Sequence, residues 1–435
     1  MEVQETYILQ AESELRSEVA QGGFLKVVLI EGSAEVFGIE MAPNREYIFT
    51  DENVAMFSWY GCKLKTFSEN ARSYVSDSTP MVAIVNTHMQ LEARRDVAVK
   101  NQDFGPRILI AGPNDSGKST LARILSAYAC RLERTPVYID LDVGQSAMSI
   151  PGTICATPLD KFSLSVEEGF SHATPLIYSL GHTSPKDHAE LYNKLVSILA
   201  GKVKDRLERD AELRSSGIIV NTCGFIEDEG YDILLKCIQS FAIDIVLVMG
   251  HDRLYSSLCS SLKDSLVIVK LPLSGGVVKK ERQFRSRSRQ LRIKEYFYGK
   301  LSSSSGLSVS YSPARMDIPI SSVKFLRAGG LQLSENMRVM GDVGSEATQL
   351  VRVSPSDQDL NRCILAILHP VSDGILKAGA DELPQSLLYS NVAGFLYVVA
   401  LNLEQDTITV LSPCNSSLPS PYLLVGSVKW DDNKS

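Results

Sequence analysis

The decapeptide AGPNDSGKST, residues 111–120, most strongly constrains how this chain of 435 residues folds. Gly112 is followed by four residues and then by Gly117, Lys118 and Ser119, which is the P-loop pattern. Glycines let consecutive backbone N–H groups face one oxyanion, the lysine reaches the β- and γ-phosphates, and the serine hydroxyl suits Mg²⁺. The predicted ligands are a nucleoside triphosphate and Mg²⁺. The predicted nucleotide-binding residues of the loop are Gly112, Asp115, Ser116, Gly117, Lys118, Ser119 and Thr120.

The flanks of this loop predict an α/β domain. RILIAG at 107–112 is a short apolar run typical of a buried strand, and residues 118–132 carry apolar side chains at helical spacing. A helix that begins at the loop adds positive potential at the phosphate. Four further apolar runs, PVYIDLD, GIIVNTCG, IDIVLVMG and SLVIVKLP, occur before residue 300, and helical segments follow the first, third and fourth of the five runs. This alternation predicts a parallel sheet covered by helices on both faces.

The remainder of the chain predicts two smaller domains around the central one. Short apolar runs up to about residue 90 favour an N-terminal β-sandwich, and Gly32-Ser33 between two of them indicates a hairpin. A polar helix over 88–103 is the expected connector. After a serine-rich break at 302–306, short strands and polar loops predict a small C-terminal α/β domain. The expected domains are 1–95, 96–300 and 301–435.

Composition limits the classes of partner. The formal net charge is −7 and the pI about 5.6, so a generally basic surface for nucleic acid is excluded and any polyanion contact must be local. The eight cysteines form no C-x-x-C pair, which indicates a reducing compartment, cytosol or nucleus, without a zinc site or disulfide scaffold. No signal peptide and no apolar run of spanning length occur, so no membrane association is expected.

Two carboxylates follow the second predicted strand of the central domain. VYIDLDVGQ at 137–145 contains Asp140 and Asp142. Strand ends of a parallel sheet face the ligand crevice, and residues two apart on an extended segment point to the same side. One carboxylate suits Mg²⁺, partly through water, and the other suits the proton of an attacking hydroxyl. A solvated loop carboxylate is the alternative.

A basic segment stands out in this acidic chain. KKERQFRSRSRQLRIK at 279–294 has eight Lys or Arg against one Glu, and Arg282, Arg285, Arg289 and Arg292 are spaced to share one helix face. Guanidinium groups in a row suit triphosphate oxygens or an RNA backbone, and an arginine at the transferred phosphoryl stabilises its charge. The alternative is a solvated helix face.

Several motifs together resemble one family. GPNDSGKST, DLDVGQSAMSIPGT, VNTCGF, LPLSGGVVKK and RIKEYFYG occur in the order found in the polynucleotide 5′-hydroxyl kinases, in the branch that serves as the P-loop subunit of the eukaryotic mRNA 3′-end cleavage factor. The likeness runs nearly end to end, from ELRSEV and AEVFGIEM to VAGFLYVVALNLE. It implies ATP-dependent phosphorylation of a 5′-hydroxyl on RNA, other cleavage-factor subunits as partners, and a nuclear location.

The resemblance also implies roles for single residues in the chemistry. Asp142 matches the general base of the family, and Asp140 stands where Glu is frequent and joins Ser119 in the metal site. Glu14 matches a contact from the N-terminal β domain to the adenine. Arg285 matches an arginine of a mobile lid that closes over ATP. The predicted catalytic set is therefore Lys118, Asp142, Arg285 and Lys280.

The resemblance implies that a second group of residues binds RNA. Thr183 and Ser184 match a hydroxyl-rich loop that meets an RNA phosphate, although the residues alone indicate helix caps, and the two roles are compatible. Phe225 matches a residue that stacks on an RNA base, and Arg289 belongs to the basic helix face. His182 in the same loop is more typical of a surface histidine than of a base.

Three positions depart from the family pattern, and each concerns ligand contacts. Phe225 stands where the family has Trp, so it stacks over less area. Lys280 stands where the family has a lid arginine, and it keeps the charge but loses the planar fork. Asn53 stands where the family has a lysine near the nucleotide, and it is retained here as a predicted nucleotide contact. These changes are expected to weaken RNA binding before they abolish the chemistry.

Two functions remain open at this stage. The first is an RNA 5′-hydroxyl kinase, and the intact P-loop favours it. The second is a catalytically weak or inactive scaffold of the 3′-end processing complex that holds ATP. A GTPase is disfavoured, because the Asn193-Lys194 pair continues with Leu-Val rather than toward the guanine-binding N-K-x-D pattern.

Overall fold

The computed structural model describes residues 3–170, 174–262, 265–299, 312–329, 349–355, 360–369 and 385–431. The serine-rich break expected at 302–306 lies outside these ranges. Three seven-stranded sheets organise the described residues, in chain order and with the predicted P-loop sheet in the middle, so the expected fold class is confirmed. In the described part of the chain, no helix is both long and apolar enough to cross a membrane.

The N-terminal sheet is built around one long strand. Its strands are β1 (Val3–Leu9), β2 (Ser13–Gly32), β3 (Glu35–Val36), β4 (Ile39–Glu40), β5 (Glu46–Thr50), β6 (Asn53–Ser58) and β7 (Cys62–Ser76). Their order is β1-β7-β2-β6-β3-β4, and β5 also pairs with β2. The first half of β2 pairs with β6 and its second half with β5, while β7 follows both halves. The sheet thereby folds over a core that includes Leu15, Leu25, Val27, Met56 and Leu64.

The hairpin expected at Gly32-Ser33 is wrong. Strand β2 takes β5, β6 and β7 as partners, and β3 pairs with β4 and β6. Gly32 does turn the chain, with φ 81°, but it does so against the start of β7. A Cβ at Gly32 would lie 2.3 Å from the carbonyl oxygen of Gly61. The turn therefore serves close backbone approach rather than a two-strand reversal.

Helix α1 (Met81–Asn101) joins the first two sheets. The polar helix expected over 88–103 is confirmed, but it is more than a connector and runs through the predicted boundary between residues 95 and 96. Its Arg95 side chain is fully buried, donates from Nε to the carbonyl oxygen of Ser216 at 2.9 Å and from Nη1 to Glu92 Oε1 at 2.5 Å. This helix is thus fixed to the central domain by the hydrogen bond from the buried Arg95 side chain to Ser216, and Glu92 of the same helix pairs with Arg95.

Replacing Arg95 with alanine is expected to destabilise the protein by about 3 kcal/mol, because it removes one partner of a buried ion pair. The remaining Arg134–Glu92 pair, at 2.9 Å, limits the loss. The exposed neighbour Arg94 supplies the control, and Arg94→Ala is expected to change the free energy of unfolding by less than about 0.5 kcal/mol. Urea unfolding measures both, and equal values for the two variants would contradict the role given to Arg95.

The central sheet has the order β13-β10-β9-β14-β8-β15-β16. Its strands are β8 (Arg107–Ala111), β9 (Val137–Asp140), β10 (Thr153–Pro158), β13 (Leu176–Ser179), β14 (Ile218–Asn221), β15 (Ile245–Met249) and β16 (Val267–Leu271), and a separate pair is formed by β11 (Leu164–Ser165) and β12 (Gly169–Phe170). The five predicted strands form the parallel run β9-β14-β8-β15-β16. Strand β10 is antiparallel to β9 and to β13, so the sheet is mixed at this edge.

Among the described residues of the central domain, six α-helices follow α1. They are α2 (Lys118–Arg131), α3 (Ala189–Arg209), α4 (Ala211–Ser216), α5 (Glu229–Ser240), α6 (Asp252–Leu262) and α7 (Arg282–Tyr298). The strands β8, β14 and β9 are buried on both faces, since every residue from Ile108 to Ala111, from Val137 to Asp140 and from Ile218 to Asn221 is buried. The carboxyl ends of these strands carry the P-loop and both candidate carboxylates.

The C-terminal sheet has the order β17-β22-β21-β20-β23-β18-β19. Its strands are β17 (Ala314–Pro319), β18 (Lys324–Ala328), β19 (Leu350–Arg352), β20 (Cys363–Leu368), β21 (Val392–Asn402), β22 (Thr407–Ser412) and β23 (Tyr422–Lys429). Within the described residues of this unit, the strands are accompanied by two 3-10 segments, Ile320–Ser322 and Gln385–Tyr389. Helix α7 of the central domain packs against this unit, and its Phe297 ring stacks on Trp430.

Candidate active site

The P-loop joins β8 to α2 through two glycines with different tasks. A Cβ at Gly112 would lie 2.9 Å from the carbonyl oxygen of Met249 and 3.0 Å from Ser116 Oγ, so no larger residue fits. Gly117 has φ 85° at the N-terminus of α2, a conformation that favours glycine. Ser116 Oγ donates to the carbonyl oxygen of Pro113 at 2.8 Å and closes the loop. The result is a helix N-terminus that opens into a cavity, as an anion site requires.

The cavity in front of the loop has a volume of about 720 Å³ and is lined by most of the predicted site residues, although Gly112 and Asp140 are not among the lining. Its wall is formed by strands of the N-terminal sheet, the P-loop, the segment after β9, the loop before α3, the segment after β14, and α7. The predicted site residues among the lining are Glu14, Asn53, Asp115, Ser116, Gly117, Lys118, Ser119, Thr120, Asp142, Thr183, Ser184, Phe225, Lys280, Arg285 and Arg289.

Lys118 is the cation at the base of this cavity. Its side chain is buried, and Nζ donates to the carbonyl oxygen of Pro113 at 2.7 Å. Burial lowers the pKa of Lys118, and the nearby Asp142 carboxylate opposes that shift. A buried ammonium beside a carboxylate and a ring of backbone N–H groups is suited to bind a triphosphate.

Asp142 lies after the end of β9 and lines the same cavity as Lys118. Its Oδ1 accepts hydrogen bonds from the backbone N–H groups of Gly144 at 2.9 Å and Gln145 at 3.2 Å. Burial raises the pKa of Asp142, while Lys118 and these two N–H donors act in the opposite direction. The carboxylate is thus held in place through one oxygen.

Asp140 is placed differently from Asp142, which corrects the expectation that both point to the same side. Strand β9 ends at Asp140, and the N–H of Asp142 turns back to Asp140 Oδ1 at 3.1 Å, so the segment is no longer extended. Asp140 also accepts from Asn221 Nδ2 at 3.1 Å and from the N–H of Ala147 at 2.7 Å. Burial, followed by the charge of Asp142, raises the pKa of Asp140 to about 7.

The oxygen atoms around Ser119 fit a divalent cation such as Mg²⁺. Asn221 is fully buried and donates from Nδ2 to Ser119 Oγ at 3.2 Å, which joins Ser119 to Asp140. Within the described residues, Asn221 Oδ1 is buried without a hydrogen-bond partner. Asp140 already accepts three hydrogen bonds, which leaves about one of its four lone-pair positions. Hydroxyl, amide and carboxylate oxygens are the ligands that Mg²⁺ takes, with water completing the shell.

The basic segment begins its helix at Arg282, and three of its four aligned arginines, Arg285, Arg289 and Arg292, line the cavity. Arg282 itself is exposed. Arg285 Nη1 donates to Asp115 Oδ2 at 3.0 Å and to the carbonyl oxygen of Lys280 at 2.8 Å. The N–H of Lys280 donates to the same Asp115 oxygen at 3.1 Å, so the start of α7 is attached to the P-loop.

Arg289 lies one turn further along α7. Burial lowers the pKa of Arg289, and the positive charges of Arg285 and Arg282 add to this, whereas Asp142 opposes it. The interaction with Asp142 places Arg289 in the electrostatic field of the candidate base. The arginine face predicted from spacing therefore contacts the P-loop through Arg285 and lines the same cavity as Asp142.

On the N-terminal side of the cavity, Glu14 is buried and already has two partners. Oε1 accepts from Arg16 Nε at 2.6 Å and Oε2 accepts from Thr79 Oγ1 at 3.0 Å. Arg16, which sequence reasoning missed, also lines the cavity and approaches the backbone of Gly276. Asn53 is exposed at the rim, at the start of β6. The adenine roles of Glu14 and Asn53 stay predictions.

The residues predicted to bind RNA also line the cavity. Thr183 is half-buried and Ser184 is exposed, and Ser184 Oγ accepts from the N–H of Lys186 at 3.2 Å. The N-cap residues of the 3-10 segment Lys186–His188 and of α3 are Pro185 and His188, so the helix-cap role indicated by the sequence is not observed. Phe225 is half-buried against the first turn of α5, where a Cβ on Gly230 would lie 2.8 Å from its ring. His182 stacks on His188 with ring centroids 3.8 Å apart.

Three family models match the chain and together cover most of it. They are the N-terminal beta-sandwich domain of polyadenylation factor over residues 8–98, the P-loop of the mRNA cleavage and polyadenylation factor CLP1 over residues 112–299, and the pre-mRNA cleavage complex II protein Clp1 over residues 311–432.

Curated relatives match over nearly the whole length. The chain is 37% identical to the polyribonucleotide 5′-hydroxyl-kinase Clp1 of Homo sapiens, over 98% of this chain and 96% of the relative. It is 38% identical to the protein of the same name in Danio rerio, over 98% and 94%. It is 37% identical to the CLP1 homolog of Nematostella vectensis, over 100% and 98%.

A solved structure has the same fold. A chain in the structure of the wild-type Clp1p–Pcf11p complex superposes with a TM-score of 0.83, covers 98% of each chain and is 24% identical. A second structure of this pair of proteins gives the same TM-score at the same identity. All three sheets described above are therefore part of a known arrangement.

Proposed function

Because this chain belongs to the Clp1 family of pre-mRNA cleavage and polyadenylation factors, we propose that it is a polyribonucleotide 5′-hydroxyl kinase that uses ATP. The observation that carries the proposal is the position of Asp142 and Lys118 on the wall of one cavity, after strands β9 and β8, which lie on either side of β14 in the P-loop sheet. Relatives that are 37% identical over almost the full chain bear the name of this activity.

In the proposed reaction, the RNA 5′-hydroxyl oxygen attacks the γ-phosphorus of ATP, the bond to the β-phosphate oxygen breaks, and ADP leaves. Asp142 accepts the hydroxyl proton, which its raised pKa and its fixed orientation favour. Lys118, Arg285 and Arg289 offset negative charge on the transferred phosphoryl group, with Lys280 adding a further charge. Thr183, Ser184 and Phe225 hold the RNA.

The nucleotide is proposed to occupy the cavity with its phosphates at residues 112–120, Gly112 to Thr120. Ser119 would hold Mg²⁺, with Asp140 and Asn221 as supporting oxygens, and the ion would neutralise charge between the β- and γ-phosphates. Glu14 and Asn53 are proposed to lie near the base.

A second role is compatible with the first. The family descriptions name cleavage and polyadenylation factors, and a similar fold has been solved in a complex with Pcf11p. We propose that this protein is also a subunit of the mRNA 3′-end processing machinery in the nucleus, with other cleavage-factor subunits as partners. A scaffold that holds ATP without transferring it remains the alternative function.

One assay separates the kinase from the scaffold. The chain is incubated with γ-labelled ATP, Mg²⁺ and an RNA oligonucleotide with a 5′-hydroxyl end, and labelled 5′-phosphate is measured. New label on the RNA supports the kinase. Bound, intact ATP after purification together with unlabelled RNA would support the scaffold and overturn the kinase.

Replacing Phe225 with tryptophan is expected to lower the KM for RNA by roughly fivefold, since a larger ring adds stacking worth about 1 kcal/mol. The KM for ATP should stay within about twofold, because the proposed partner of Phe225 is an RNA base and not the nucleotide. The control for adding an indole is Phe170→Trp, because Phe170 is also a half-buried phenylalanine and lies in β12. An unchanged KM for RNA in the Phe225 variant would contradict the stacking role.

A further inference from the structure

We propose that residues 426–431 of the C-terminal domain position the loop that carries Thr183 and Ser184, and so set how tightly the 5′ end of an RNA strand is held. This inference rests on the proposed kinase function, because it concerns the acceptor side of the same cavity. The segment comprises the end of β23 and the two residues after it.

The first observation is a direct backbone contact between this segment and the loop that carries Thr183 and Ser184, called the acceptor loop below. The N–H of Ser427 donates to the carbonyl oxygen of Gly181 at 2.8 Å, and the Ser427 hydroxyl is hydrogen-bonded to His182 Nδ1 at 2.8 Å. A Cβ at Gly426 would lie 2.2 Å from the oxygen of Gly181. Thr183 follows immediately along the chain, so its position is fixed by β23.

The second observation ties the same loop to the candidate base. The carbonyl oxygen of Gly152 accepts from the N–H groups of Leu180 at 2.9 Å and Gly181 at 3.0 Å. The N–H of Gly152 in turn donates to the carbonyl oxygen of Val143, the residue after Asp142, at 2.8 Å. Backbone hydrogen bonds therefore link the acceptor loop both to the turn that carries Asp142 and to the end of β23.

The third observation concerns α7, which contacts residues 429–431 of the same segment. Gln290 Nε2 donates to the carbonyl oxygen of Lys429 at 3.0 Å, and the N–H of Asp431 donates to Gln290 Oε1 at 3.0 Å. Trp430 stacks on Phe297 with an interplanar angle of 8°. Arg289, which precedes Gln290, lines the cavity near Asp142.

These contacts place the acceptor loop and the arginine face of α7 at a fixed separation, and an RNA 5′ end bound at this site must lie between them. The P-loop is attached to α7 through Asp115 and Arg285, but it also has contacts that do not involve α7, through Met249 and Pro113. A disturbance at residues 426–431 should therefore affect RNA more than ATP, because a displacement of about 1 Å in a substrate-positioning group can cost up to about 100-fold in rate.

The main test is Gly426→Ala, since its new methyl group must push against the oxygen of Gly181. The KM for a 5′-hydroxyl RNA oligonucleotide is expected to rise about tenfold, and the affinity for a fluorescent ATP analogue to stay within about twofold. Gly201→Ala on α3 is the matched control, because an added Cβ there has no heavy atom within 4 Å. An unchanged KM for RNA in a folded Gly426 variant would overturn the inference.

A milder variant keeps the test decisive if Gly426→Ala does not fold. Ser427→Ala removes the contact to His182 but retains the backbone bond to Gly181, and it is expected to raise the KM for RNA about threefold. Amide hydrogen exchange of residues 181–185 should quicken while that of residues 112–120 stays unchanged. Unaltered exchange at 181–185 together with an unaltered KM would overturn the proposal.

The two proposals fail in distinguishable ways. If the wild-type chain transfers no phosphate, the kinase proposal fails. The positioning role is then tested by the equilibrium affinity for the 5′-hydroxyl RNA, measured in place of the KM for RNA. Weaker RNA binding and faster exchange at 181–185 in the Ser427 variant would still support the positioning role, and wild-type values of both would refute it.

Discussion

Lys118→Ala is expected to lower the rate of phosphate transfer to RNA by about 1,000-fold or more. The reason is that Lys118 is the buried cation at the base of the cavity, and the loss of one preorganised positive group there removes stabilisation that develops with the transition state. The buried ammonium carries a desolvation cost, which lowers its pKa, so its removal is not expected to unfold the chain. Single-turnover transfer of labelled phosphate measures the effect.

The control for this prediction is Lys100→Ala, an exposed lysine in the last turn of α1. It removes the same charge from the chain and should leave the rate within about twofold. If Lys118→Ala kept more than a tenth of the wild-type rate, the P-loop would be a nucleotide holder, and the scaffold function would be the better description.

Asp142→Asn is the second large effect, with an expected loss of about 100- to 10,000-fold in kcat and little change in the KM for ATP. Asparagine can still accept the hydrogen bonds from Gly144 and Gln145 through its amide oxygen, so the turn should persist. What it loses is the ability to accept the proton of the RNA hydroxyl. Asp205→Asn, an exposed residue of α3, is the matched control.

The pH dependence gives Asp142 a signature of its own. Only the carboxylate form acts as a base, and burial raises its pKa, so activity is lost as the pH falls through a value above the 3.8 of an ordinary aspartate. In the asparagine variant, this acidic limb should vanish from the residual rate. A wild-type profile that stays flat down to pH 4 would show that another group accepts the proton.

The features that the sequence alone predicted well are local ones. The P-loop, its flanking strand and its helix lie within about 25 consecutive residues, and the position of Asp142 follows from the rule that parallel strands end at the ligand crevice. Asn221 ends the neighbouring strand β14 by the same rule, but an uncharged amide gives no signal that separates it from an ordinary strand residue. Only its contacts to Ser119 and Asp140 identify it.

What the sequence could not provide depends on contacts between distant segments. Gly32-Ser33 is a sound local signal for a hairpin, yet the pairing of β2 with β5 and β7 prevails because it extends over many more hydrogen bonds. The partner of Gly181 is Ser427, which is 246 residues away in the chain. Neither residue type predicts such a contact, and the C-terminal domain therefore gave no motif of its own.

The 20-residue strand β2 has a consequence for how the N-terminal domain unfolds. Both halves of its sheet share this strand and the accompanying β7, so detaching either strand removes hydrogen bonds from both halves at once. The domain should melt as one cooperative unit, and proteases should cleave it without leaving a stable half. Since Glu14 and Asn53 lie on β2 and β6, the wall that the N-terminal domain gives to the cavity would be lost in the same step.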